Sequence, residues 1–76
     1  MSSDRIDRMA NQIARFFASR PEAEAVAGTE DHILKFWDPR MRAALLAHLA
    51  RGGEDLSPIA RRAAEHLRDR PAPPRG

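Results

Sequence analysis

Cysteine is absent from the 76 residues, which excludes disulfides, thiolate ligands for a metal or an iron–sulfur cluster, and a cysteine nucleophile. Tyrosine is absent too, and the aromatic side chains are three phenylalanines and one tryptophan, Trp37. No apolar run approaches the roughly 18 residues expected of a membrane-crossing helix. The opening MSSDRIDRM mixes acids with bases and leads into no hydrophobic stretch, so a secretory leader is not expected either. The expectation is a soluble, cytoplasmic chain with no membrane partner.

Large apolar side chains are also scarce. Alanine makes up 14 of the 32 apolar residues, which leaves 18 larger ones to build an interior. A domain this small lies near the lower limit of independent folding, so a partner's surface is an expected source of further burial. Bases and acids nearly balance, 13 against 11, for a net charge of +2. Twelve of the bases are arginine, a bias that coding preference and an interface rich in planar guanidinium groups explain equally well.

Helical punctuation recurs along the chain, and no strand pattern is present. Ser3 or Asp4 is placed to cap a first helix whose apolar positions are Ile6, Met9, Ala10, Ile13, Phe16 and Phe17, ending near Ser19. PEAEAVAG reads as a short second helix, opened by Pro21 and closed by Gly28. Thr29 is the expected cap of a third, with Ile33, Leu34, Phe36 and Trp37 as its apolar content. Asp38 ends that helix because it precedes a proline, and caps a fourth beginning at Pro39. Gly52 and Gly53 stop the fourth, and Ser57 with Pro58 opens a fifth. The expected architecture is all-α: a small bundle of about five short helices forming a single domain over residues 1–70, followed by a flexible, proline-rich C-terminal tail over residues 71–76.

Neighbours on a helix point about 100° apart, so one buried stripe uses positions three and four apart. The pairs Phe16–Phe17, Ile33–Leu34, Phe36–Trp37 and Leu45–Leu46 break that economy. Either the third helix is central to the bundle or a second apolar surface is covered by another protein. Trp37, at the corner between two helices, suits a local core plug, yet Trp and Arg are also the types most enriched among interface anchors, and Arg40 and Arg42 follow directly.

Catalytic patterns are missing. His32, His48 and His66 show no ligand-pair spacing, Ser57 has sufficient purpose as a cap, and no phosphate loop or nucleophile elbow occurs. A small helix-turn-helix-like DNA-binding regulator is the alternative reading, using Arg40 and Arg42 or Arg61, Arg62 and Arg68. Asp38, Glu65 and Asp69 lie among those bases and the net charge is small, so no nucleic-acid partner is expected.

RMANQIARFF, PEAEAVAG and HILKFWDPRMR, in this order and spacing, resemble the delta subunit of the soluble, NAD-dependent, molybdenum-containing formate dehydrogenases. The resemblance covers roughly Arg8 to Leu49 and is most specific at His32, Lys35, Phe36, Trp37, Asp38, Pro39, Met41 and Arg42. It implies a non-catalytic accessory subunit that stabilises or helps assemble a complex oxidising formate with NAD. In such complexes an alpha subunit carries bis-molybdopterin guanine dinucleotide and iron–sulfur clusters, and beta and gamma subunits carry FMN and further clusters. No cofactor, catalytic residue or metal is placed on this chain. The candidate partner-binding residues, directed at the alpha subunit, are Phe17, Lys35, Phe36, Trp37, Asp38, Arg40, Met41 and Arg42.

Overall fold

The computed structural model describes residues 2–70, with side chains from Arg5 onward. Four helices make up the fold, α1 (Ser2–Phe17), α2 (Glu22–Phe36), α3 (Pro39–Ala50) and α4 (Pro58–Asp69), with no strand among the described residues. The all-α expectation holds, with four helices in place of about five. The tail and the capping side chains of Ser3 and Asp4 lie outside the described set.

The second and third expected helices are one. Gly28 does not close a helix but sits inside α2, and its missing side chain has a tertiary use. A Cβ built at Gly28 falls 2.7 Å from the Phe17 ring, so glycine lets that ring lie directly on the α2 backbone. Thr29, expected as a cap, is buried within the helix, where its hydroxyl donates to the Ala25 carbonyl at 2.8 Å. The propensity cost of an interior glycine, about 1 kcal/mol, is offset by aromatic packing that no other residue would admit.

Both cap-then-proline devices form as the sequence suggests. The Asp38 carboxylate accepts from the Met41 amide at 2.9 Å, with Pro39 opening α3. The Ser57 hydroxyl accepts from the Ala60 amide at 3.2 Å, with Pro58 opening α4. Between them, Gly52 and Gly53 take positive φ angles of 116° and 62° and turn the chain out of α3. Three helices hold this turn in place. Arg61 donates to the Gly52 and Gly53 carbonyls at 3.1 and 2.9 Å, and His48 Nε2 donates to the Glu54 carbonyl at 2.7 Å. Asn11 of α1 donates to the Asp55 carbonyl at 2.6 Å and accepts from the Ser57 amide at 2.8 Å.

The helices α1 and α4 touch each other, and both pack on α2 and on α3, whereas α2 and α3 have little contact beyond their shared corner. The core runs through Ile6, Ala10, Ala14, Ile33, Trp37, Leu45, Leu49, Leu56, Ala60, Ala64 and Leu67. Alanine removes little area from water by itself, but Ala10, Ala14, Ala25, Ala60, Ala63 and Ala64 let backbones approach closely and so bring the few large side chains into contact.

The Phe17–Gly28 contact makes a prediction whose sign depends on background. Gly28→Ala should lower stability by about 1–2 kcal/mol in the native chain, because the ring must move. Combined with Phe17→Ala, the same change should raise stability by about 0.5–1 kcal/mol through helix propensity. Thermal unfolding followed by circular dichroism checks this, and the same sign in both backgrounds would refute it.

Candidate functional site

The adjacent aromatics at the end of α2 divide between inside and outside. Trp37 leaves the helix with extended backbone angles and is only 6% exposed, closing the corner of the core where α2 gives way to α3. Its carbonyl accepts from the Arg42 guanidinium, which ties the corner to the first turn of α3. Phe36, one residue earlier, is turned outward and is 72% exposed. Its ring lies 4.7 Å from that of His32, one turn back on the same face.

A second exposed phenylalanine lies on the neighbouring helix. Phe16 is 77% exposed and meets Phe17 edge to face, with ring centroids 5.1 Å apart. Phe17 is half-buried because Gly28 receives it, and the displaced direction falls to Phe16. A shallow cleft between α1 and α2 joins these groups, lined by Gln12, Ile13, Phe16, Phe17 and His32, almost entirely with apolar atoms. Phe36 extends the surface beyond His32.

The eight candidate residues therefore separate into two sets. Phe17 and Phe36 belong to the aromatic face, and Lys35 lies exposed beside it in an ion pair with Asp31 at 3.1 Å. Trp37, Asp38, Met41 and Arg42 build the corner. Trp37 is core, Asp38 is a cap, Met41 packs against the core, and Arg42 holds the Trp37 carbonyl. Burial takes Trp37 off the surface as a direct anchor, since it has almost no area to offer another protein. Arg40 is exposed on the first turn of α3. Phe16, Ile13 and His32 were not among the expected residues. For Phe16 the signal was present, because the Phe16–Phe17 doublet has the same geometry as Phe36–Trp37.

Several of the remaining polar groups pair locally. Among the described residues no three His, Asp or Glu side chains gather into a metal-binding set. With cysteine absent from the sequence as well, the chain offers no thiolate to hold an iron–sulfur cluster. The histidines serve separate local roles: His32 stacks on Phe36, His48 holds the Glu54 carbonyl, and His66 Nδ1 lies 3.2 Å from the Glu30 carboxylate. At the end of α4, a side-chain hydrogen bond between Arg68 and Asp69 lowers the Asp69 pKa and raises that of Arg68. Several bases of the DNA-binding alternative are thus held internally, Arg42 by Trp37, Arg61 by the glycine turn and Arg68 by Asp69. No helix among the described residues is long and apolar enough to cross a membrane.

The division between core and surface is measurable. Trp37→Ala should cost about 3–5 kcal/mol in urea unfolding, whereas Phe16→Ala and Phe36→Ala should each stay within about 0.5 kcal/mol. A large loss at Phe36 would show that its ring supports the monomer.

No curated protein and no solved structure matches the chain. The sequence model of the family described as NADH-dependant formate dehydrogenase delta subunit FdsD matches residues 5–64. That segment runs from the first described side chain of α1 well into α4 and contains the whole aromatic face. With most of its length inside the match, the chain belongs to the delta-subunit family of NADH-dependent formate dehydrogenases.

Proposed function

We propose that this chain is a non-catalytic accessory subunit that docks on the cofactor-bearing alpha subunit of a cytoplasmic formate dehydrogenase and stabilises the assembly. The observation that carries this reading is the outward projection of Phe16 and Phe36 from adjoining helices, with an apolar cleft beside them. Fully burying such a side chain contributes about 1.5–3 kcal/mol. A chain with so few large apolar residues that leaves two of its three phenylalanines outside gains from a partner that covers them.

Formate oxidation and electron transfer to NAD belong, in this reading, to the alpha, beta and gamma subunits, with their molybdenum cofactor, iron–sulfur clusters and FMN. The delta chain contributes binding. A protein that binds only the folded form of its partner stabilises it by mass action, by about 2.7 kcal/mol when its concentration exceeds the dissociation constant a hundredfold. Docking therefore raises the yield of intact complex without any chemical step on this chain. Residence in the finished enzyme separates a resident subunit from a transient assembly factor, and stoichiometric delta chain in active, purified complex is the expected result.

The test is co-expression of all four subunits with the double variant Phe16→Ser/Phe36→Ser. Co-purification of the delta chain with alpha should be lost, while the variant alone keeps its helical circular dichroism. Undiminished co-purification would show that docking uses another face.

A further inference from the structure

One charged group is left over by the fold. Asp7 lies at the edge of the buried face of α1 and is only 5% exposed, and its Oδ1 is enclosed without a hydrogen-bond partner among the described residues. Buried charges are ordinarily paired, because a carboxylate taken out of water without a donor or a cation is costly to the fold. Asp7 lines an opening between α1 and the turn before α4, together with Arg8, Asn11 and Asp55. Asn11, one helical turn on from Asp7, fixes that turn in place by donating to the Asp55 carbonyl at 2.6 Å and accepting from the Ser57 amide at 2.8 Å. Asp55 takes a left-handed φ of 67° there and is exposed. The turn thereby brings a second carboxylate to the opening that already holds the unpartnered one. This opening shares no residue with the aromatic cleft.

We infer that this opening receives one basic side chain, lysine or arginine, of a partner subunit, whose positive head pairs with Asp7 and Asp55. Two carboxylates against the single guanidinium of Arg8 leave the lining one negative charge in excess. An ammonium or guanidinium supplies several N–H donors together with a compensating charge, whereas water supplies donors only. An inorganic cation fits less well, since such ions take six or more oxygens and no three His, Asp or Glu side chains gather among the described residues. Arg8 is exposed and does not bond Asp7 Oδ1, so its charge opposes the incoming one without satisfying the buried oxygen. The contact is separate from the aromatic docking face and does not depend on it.

The experiment compares the unfolding temperature of the full delta chain with its affinity for formate dehydrogenase complex purified without delta. Asp7→Asn should weaken binding about tenfold or more, while the free variant unfolds no lower than the native chain because it no longer encloses an unpaired charge. Asp55→Asn, at an exposed position where asparagine accepts the left-handed backbone, should weaken binding in the same direction. Arg8→Gln should bind at least as tightly as the native chain, because a competing cation is gone. Native-like binding by the folded Asp7→Asn and Asp55→Asn variants overturns the inference, and loss confined to Phe16→Ser/Phe36→Ser then leaves docking on the aromatic face intact. Loss in both aspartate variants with native-like binding by Phe16→Ser/Phe36→Ser supports this contact and overturns the aromatic one. A lower unfolding temperature in Asp7→Asn with native-like binding by Asp55→Asn assigns the carboxylate to the monomer and overturns the inference. Weaker binding by Arg8→Gln marks Arg8 as the docking group and overturns it too. A rise in the unfolding temperature of the native chain on adding magnesium or calcium, lost in Asp7→Asn, makes the occupant an inorganic cation and likewise overturns the side-chain assignment.

Discussion

Consecutive helical residues diverge by about 100°, and the molecule is organised around how two phenylalanine-containing doublets resolve that divergence. At the end of α2 the interior accepts Trp37, whose burial completes the core between helices that barely touch. Phe36 is left pointing outward. On α1 the α2 backbone receives Phe17 at Gly28, and Phe16 is left outside in turn. The exposed aromatic face is the complement of a satisfied core, so the same side-chain choices that stabilise the monomer also leave Phe16 and Phe36 outside.

The corner at Trp37 shows how local and tertiary forces are combined. Asp38 and Pro39 start α3 by satisfying a free amide and presetting a backbone angle. That restart is abrupt enough to swing Trp37 inward, and Arg42 then holds its carbonyl. The turn near Gly53 follows the same logic, with side chains from α1, α3 and α4 converging on its backbone. In a chain with a small hydrophobic interior, such side-chain-to-backbone bonds help define a single arrangement of short helices.

Features governed by residues within a few positions of one another were legible in the sequence. The caps at Asp38 and Ser57, the prolines after them and the glycine stop at the end of α3 all formed where their chemistry required. What the sequence could not reveal depended on contacts between distant residues. Gly28 has the local signature of a helix end, and only the Phe17 ring, eleven positions away, explains why the helix continues through it. Trp37 carries the signature of an anchor and of a plug, and the choice was made by the space between α2 and α3. The presence of an outward aromatic at each doublet was readable, but which member faced outward was not.

Gly28 has a further importance that its absent side chain conceals. By admitting the Phe17 ring against the α2 backbone, it determines how near α1 lies to α2, and that distance sets the width of the shallow apolar cleft between them. A residue with no side chain thereby sets the spacing of its two neighbouring helices, much as a spacer shim fixes the bore of a bearing without touching the shaft.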